Sequence, residues 1–228
     1  MAKLGIIADI HGKDKILQIV LSELRDCSII ANLGDVVSYD GDVNSVLNQL
    51  DMPHIINIKG NHDLEVLAKT NSSISLIDAK GKILPNDYGI TQTGKKFISA
   101  WPIIKLLEID GKKCGFIHGY SWDLNPNYFE DVSEDNAKAL LDQLDCDYAF
   151  VGHSGMARLF SLDRCGRCSK MPIYGPKTIK LPAGQKYVIN VAKLATKVGP
   201  KIDLAYTLFD GRNNELQFIT KEFKDARQ

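Results

Sequence analysis

Five short apolar runs in this chain each end in residues able to bind a cation or move a proton. Residues 4–8 lead into Asp9-Ile10-His11-Gly12, and 28–33 lead into Gly34-Asp35. Residues 55–58 precede Gly60-Asn61-His62-Asp63, 115–117 precede His118-Gly119, and 148–151 precede Gly152-His153. Four of the five histidines thus stand behind an apolar run, three of them beside a glycine, whereas His54 precedes its run and is incidental. Carboxylates, imidazoles and one carboxamide, with no cysteine among them, suit Mn²⁺, Fe, Zn²⁺ or Mg²⁺ rather than a thiolate centre. Carboxylates brought together repel one another, so a shared cation is what makes such a cluster stable. Each motif alone has an ordinary use. Asp9 would cap a helix, Gly34-Asp35 would make a turn, and His118 and His153 would pack or cap, while Asn61 and Asp63 favour turns. Their shared position behind apolar runs is what joins them into one site.

The runs have the length of strands and do not alternate, as expected for strands buried on both faces. Between them lie helical spacings: Leu17, Val20, Leu21 and Leu24 share one face, as do Val43, Val46, Leu47 and Leu50. Ala137, Leu140, Leu141 and Leu144 repeat the pattern, with Ser133 as the expected N-cap. Strand, helix, strand in succession predicts crossover units and a largely parallel sheet. Loops at the C-terminal ends of such strands collect on one edge, where open α/β folds bind ligands. From about Lys95 onward a second pattern appears. Asp110-Gly111 between 103–109 and 113–117 predicts a hairpin, and Asp210-Gly211 predicts another turn. Residues 158–163, 187–191, 205–209 and 216–220 are further strand candidates, expected to form a second sheet packed on the first. Helices outside two facing mixed sheets give the expected fold class, an α/β four-layer α-β-β-α sandwich.

No repeat, low-complexity tract or linker divides the 228 residues, so one domain over residues 1–228 is expected. Lys plus Arg and Asp plus Glu number 28 each. A balanced charge gives no electrostatic case for wrapping nucleic acid or lying on an anionic membrane. No run reaches the roughly 18 apolar residues of a membrane span. The stretch behind Met1 is too short for a secretory signal, and five scattered cysteines suit reduced thiols, which places the chain in the cytoplasm.

The series Asp-x-His, Gly-Asp, Gly-Asn-His-Asp, His-Gly and Gly-His over residues 9–153 resembles the calcineurin-like metallophosphoesterase signature. Gly34-Asp35-Val36-Val37-Ser38-Tyr39, and Tyr187-Val188-Ile189-Asn190 with residues 204–210, resemble its small bacterial and archaeal phosphodiesterases. The resemblance implies two divalent metal ions, manganese first, with iron, zinc or nickel as alternatives. Asp9 and His11 would bind the first metal, Asp35 would bridge both, and Asn61, His118 and His153 would complete the second. His62 would face the substrate as the catalytic residue, protonating the leaving oxygen or stabilising phosphoryl charge. Asp63 would orient that imidazole or, the favoured role, cap the following helix.

Three departures from the family pattern stand out. Gly155 occupies the place of the usual second histidine of the last motif, which removes one protein ligand from the first metal. Ser38 stands where protein phosphatases have an aspartate, which argues against a protein substrate and leaves His62 without that partner. The usual glycine-rich loop after Asn190 is replaced by Val191-Ala192-Lys193-Leu194.

The function expected is hydrolysis of a small phosphodiester or phosphomonoester, nucleotide-like esters being one candidate, by two-metal activation of water. The alternative is a non-catalytic metal-binding scaffold or interaction protein on the same fold. Cys165-Gly166-Arg167-Cys168 lacks further ligands nearby and reads as an ordinary loop rather than a zinc or redox site. Arg158, Arg164, Arg167 and Lys170 form a basic stretch read first as solvated surface and second as a phosphate-steering rim. Tyr120 and Trp122 are either pocket walls or packing residues.

Overall fold

The computed structural model describes residues 3–38, 41–68, 76–77, 83–84, 88–121, 129–199 and 201–223. Tyr39 and Trp122 lie outside them. The chain opens with β1 (Leu4–Ile7), α1 (Asp14–Glu23), β2 (Ile29–Asn32), α2 (Val43–Leu50), β3 (Ile55–Asn57) and α3 (Asn61–Ala68). A short pair follows, β4 (Leu76–Ile77) with β5 (Ile83–Leu84), and then α4 (Gln92–Ser99), β6 (Ile104–Ile109), β7 (Lys112–Ile117), α5 (Ala137–Leu144) and β8 (Tyr148–Val151). The remainder is strand: β9 (Arg158–Leu162), β10 (Cys168–Pro172), β11 (Lys177–Lys180), β12 (Lys186–Asn190), β13 (Ala195–Val198), β14 (Lys201–Asp210) and β15 (Glu215–Phe223).

Two mixed sheets result. The first has the order β11-β15-β14-β1-β2-β3, with β13 also on β14, and the second has the order β10-β9-β12-β8-β7-β6. Parallel pairing is confined to β1-β2-β3 and to β7-β8-β12. The sheets face each other across an apolar layer of Leu4, Ile6, Phe116, Tyr148, Phe150, Ile189 and Phe209, among others. The other face of the first sheet (Ile7, Ile30, Ile55) packs on apolar residues of α1, α2, α3 and α4. The outer face of the second (Ile117, Ala149, Val151, Val188) packs on Leu140, Leu141 and Leu144 of α5. These are the four layers expected, and because side chains alternate along a strand, burial on both faces explains the unbroken apolar runs.

The β6–β7 hairpin turns at Asp110 (φ 49°) and Gly111 (φ 75°), two successive positive-φ residues as a type I′ turn requires. Two expectations need correction. The C-terminal strands do not form a sheet of their own. β12 lies between β8 and β9 in the second sheet, whereas β14 pairs antiparallel with β1 in the first. β14 can sit centrally because it buries Leu204 and Tyr206 toward the helices and Phe209 toward the other sheet. Ser133 does not cap α5, whose N-cap is Asn136. Its hydroxyl instead accepts from Asn136 N–H across the preceding turn, and Asn136 Oδ1 in turn accepts from Ser133 N–H at 2.8 Å.

Within the described residues no helix is long and apolar enough to cross a membrane. Phe150 is fully buried between the sheets, with ring centroids 5.4 Å from Phe116 and 5.5 Å from Phe209. Phe150→Ala should therefore cost about 3–5 kcal/mol of unfolding free energy, measured in urea, with an unchanged m-value.

Candidate metal centre

β1, β2, β3, β7 and β8 deliver their trailing loops to one end of the sandwich. The loops are stitched together by backbone bonds that continue beyond the strands. Asp9 N–H donates to Gly34 C=O (3.0 Å), His11 N–H to Asp35 C=O (3.0 Å), and Gly152 N–H to His118 C=O (2.9 Å). Asp9, His11, Asp35 and His153 all hold positive φ, between 46° and 65°. A non-glycine residue in that region costs of order 1–3 kcal/mol, and such strain gathers where a side chain must be aimed. The approach of the loops is close as well. A Cβ on Gly60 would lie 2.1 Å from Asp35 Oδ1, so only glycine lets the third loop pass the second.

The side chains converge in two groups that share one residue. Asp9, His11 and Asp35 present donor atoms within 4.8 Å of one another, and so do Asp35, His118 and His153. Asn61 joins the second group, with its Oδ1 3.1 Å from His118 Nε2 and 3.1 Å from His153 Nδ1. His118 Nε2 also lies 3.3 Å from Asp35 Oδ2 and 3.3 Å from His153 Nδ1. The far ring nitrogens are committed elsewhere. His118 Nδ1–H donates to Leu33 C=O at 2.8 Å and His11 Nδ1–H to Val37 C=O at 3.3 Å. That leaves the opposite nitrogen of each ring turned to the cluster, the orientation usual for metal-ligating histidines. Lone pairs of a carboxamide, two imidazoles and a carboxylate pointed at one spot suit a cation. All six residues expected to bind metal are therefore brought together. His54 is exposed and apart from them.

Electrostatics reinforce the same conclusion. Burial pushes the Asp9 carboxyl up to about 6, partly offset by His118. Burial would also raise Asp35, but the imidazoles of His118 and His62 outweigh it and hold the group low. Burial opposes charge on His118, yet Asp35 and Asp9 drive its pKa upward. One commonplace use of the motifs is excluded. Asp9 does not cap α1, whose N-cap is Lys13. Asp35 faces the start of α3, accepting His62 N–H at 3.0 Å.

His62 sits at the lip with its side chain 42% exposed, Nε2 4.0 Å from Asp35 Oδ2 and Nδ1 3.4 Å from Glu65 Oε2. Glu65 in turn accepts from the Tyr88 hydroxyl (3.1 Å). The imidazole thus has a carboxylate partner after all, supplied one helical turn later rather than by the residue at Ser38. That i, i+3 spacing on α3 was visible in the sequence once the helix start was known.

Asp63 does not orient His62. It is fully buried and accepts four backbone N–H bonds: from Asp35 (2.9 Å), Val36 (3.0 Å), Val37 (3.3 Å) and Gly60 (2.9 Å). The bond to Gly60 caps α3, as favoured, and the other three clamp the β2 loop to it. Sequence reasoning also missed Asn32, Asn190 and Phe129. Asn32 Oδ1 accepts Gly34 N–H, Asn190 Nδ2 holds Gly152 C=O and Ser154 Oγ, and Phe129 meets His118 edge-on at 5.4 Å. The two asparagines are legible as polar residues one place before the ends of apolar runs. Phe129 carries no such signal.

The weaker signals resolve as well. Cys165 and Cys168 are both free, and the intervening turn is built on Asp163, which accepts from Cys165 N–H and Arg167 N–H. Of the basic stretch, Arg167 pairs with Asp163 and Arg164 lies over Gly184, away from the cluster. Tyr120 is buried among the residues of α5 and its sheet, which is the packing role.

Two outcomes follow. Asp63→Ala leaves four backbone donors unpaired and should cost about 3 kcal/mol in urea unfolding with chelator present. Metal binding requires deprotonated ligands, and Asp9 titrates at about 6. The rise in Tm on adding Mn²⁺ should therefore grow from about pH 5 to pH 7, and a flat profile would contradict the site.

Comparison with known proteins agrees with this fold. A curated relative, an uncharacterized protein of Methanocaldococcus jannaschii, is 26% identical over 96% of this chain and 87% of its own length. A metallophosphoesterase from Sphaerobacter thermophilus superposes with a TM-score of 0.73 at 19% identity, covering 98% of this chain and 89% of that one. An archaeal phosphodiesterase superposes with a TM-score of 0.53 at 14% identity, covering 96% and 99%. The model of the calcineurin-like phosphoesterase superfamily domain matches residues 2–169, and the chain belongs to that family.

Proposed function

We propose that this protein is a phosphoester hydrolase that works with two divalent cations. Asp9, His11 and Asp35 would hold one, and Asp35, Asn61, His118 and His153 the other, with Asp35 common to both. The observation that carries this reading is that the donor atoms fall into two groups overlapping at a single buried carboxylate. Cations so placed supply charge neutralisation at the phosphoryl group and a lowered pKa for water. The mixed nitrogen and oxygen donors suit Mn²⁺ first, with iron, zinc or nickel as alternatives.

The protein's own part in the reaction centres on His62. Its Nε2 lies 4.0 Å from Asp35 Oδ2 while Glu65 receives Nδ1, so the ring is oriented to deliver a proton to a leaving oxygen. Phe129, buried beside His118 and His153, excludes water from one flank of the second group. A small phosphodiester or phosphomonoester is the substrate class proposed, and the free cysteines suit a reducing, cytoplasmic setting.

A non-catalytic metal-binding scaffold is the competing reading. Nothing in a scaffold requires an accessible imidazole backed by a carboxylate at the mouth of the cluster, and that arrangement favours hydrolysis. The direct test is turnover of a chromogenic phosphodiester with Mn²⁺, abolished by chelator; tight metal uptake without turnover would select the scaffold.

Two variants separate the roles. His62→Ala should lower kcat by about 10²–10⁴ with metal content intact, and normal turnover in that variant would remove His62 from the chemistry. Asp35→Asn should lose both cations, as measured by elemental analysis; full occupancy would contradict a bridging role.

A further inference from the structure

The chain is neutral as a whole, yet residues 164–202 hold nine lysines and arginines and no aspartate or glutamate. Carboxylates from outside the segment meet three of them: Asp163 meets Arg167 (2.8 Å), Glu215 meets Lys180 (3.0 Å) and Glu222 meets Lys201 (2.9 Å). Lys170 of β10 and Lys177 of β11 have no carboxylate partner among the described residues. These two strands end their respective sheets, and Lys177 Nζ reaches to 3.6 Å from Met171 Sδ of β10, so both edges lie on one flank.

The outer edge of β10 is open. Asp163 N–H donates to Arg167 C=O and Ile173 N–H to Ala157 C=O, both at 3.1 Å. By the alternation of an antiparallel ladder, Ser169 and Met171 then bond to β9, while Cys168 and Lys170 turn their N–H and C=O outward. Neither takes a backbone partner on that side among the described residues. Side chains alternate as well. Lys170 stands opposite Phe160 on the α5 face, and Met171 opposite Leu159 on the face toward the first sheet, where Lys177 meets it. A strand laid along β10 would therefore meet a cation on each of its faces. Glu134 and Asp135 act on the Cys168 thiol, which places any incoming carboxylate beside Lys170 rather than Cys168.

Apolar groups gather where β10 ends. Met156 (55% exposed), Met171 (41%) and Tyr174 (87%) stand there, and large apolar side chains exposed together mark an interaction site. Beside them a cavity of about 520 Å³ enters between the sheets, walled by Ile173, Thr207 and Phe218. Arg158 and Lys170 border it from strands whose register turns their side chains to the α5 face. The cavity thus suits an apolar side chain.

These features select among occupants. A second copy would set Lys170 and Lys177 against their own kind, a common device by which an edge avoids self-pairing. The phosphates of a nucleic acid only accept hydrogen bonds and would leave the C=O groups of Cys168 and Lys170 without donors. An extended peptide supplies donors and acceptors in the alternation that an edge requires. We infer that β10 receives an extended acidic segment of a partner protein as a further strand of the second sheet, with carboxylates beside Lys170 and Lys177 and one apolar side chain in the cavity. The metal centre takes no part in this contact, so the inference stands apart from the hydrolase reading.

The test is selection of short peptides from a random displayed library on the metal-free full chain. The selected peptides should be rich in aspartate and glutamate and carry an aromatic or aliphatic residue. Their binding should slow hydrogen exchange at the Cys168 and Lys170 amides about tenfold. Methylating alternate backbone nitrogens of a selected peptide should abolish its binding. Lys170→Glu combined with Lys177→Glu should weaken binding about tenfold, while Lys15→Glu, exposed on α1, should leave it unchanged. A library that yields no binder, binders without acidic enrichment, or binders that leave both amides exchanging as before overturn the inference. So does oligothymidylate binding in place of any peptide, or self-association that protects the same two amides, because the edge would then serve a nucleic acid or a second copy.

Discussion

Three carboxylates share one poorly solvated end of this molecule, and the architecture around them is organised to keep them there. Asp9, Asp35 and Asp63 are each less than 5% exposed. Like charges so placed repel, and loss of water penalises each separately. Asp63 is held by four backbone N–H groups, Asp35 by the first turn of α3 and by His118, and Asp9 by the N–H of His153. Those N–H groups come from residues 35–37, 60, 62 and 153. Holding the charges in place is therefore also what holds the separate loops together.

The stitching explains why so much was legible from residue types. Buried strands need apolar runs, and the loops behind them need residues that turn sharply and carry donors, so the two signals alternate along the chain. β1, β2, β3, β7 and β8 all fell where the runs placed them, and every expected ligand reached the cluster. What escaped was either too polar or too short to carry a pattern. β10, β11 and β13 bear Lys, Ser and Thr on exposed faces. α4 has only Phe97 and Ile98 as large apolar residues and is started by Thr91, whose hydroxyl accepts Gly94 N–H. The allocation of C-terminal strands between sheets was invisible because pairing partners are not encoded in the local period.

The partner of His62 illustrates a different limit. The protein phosphatases of the superfamily have a carboxylate where Ser38 stands, but here Glu65 reaches the same imidazole from the next turn of α3. A side chain's function is set by where its end arrives, and several backbone positions deliver a carboxylate to one place. The loss of a residue from a motif therefore says little until the surrounding side chains have been located.

The pairing of β14 with β1 has a bearing on biosynthesis. Residues 4–6 leave the ribosome well before their antiparallel neighbours, residues 207–209. Until those late residues emerge, one edge of β1 is unsatisfied and Ala8 C=O lacks the N–H of Leu194. A nascent chain would thus carry most of its acidic and imidazole donors in an unsealed, edge-exposed sheet, vulnerable to mispairing and to premature capture of metal. Fast completion or a chaperone's shelter during that interval would matter more for this topology than for one whose first strand pairs only with its sequence neighbours.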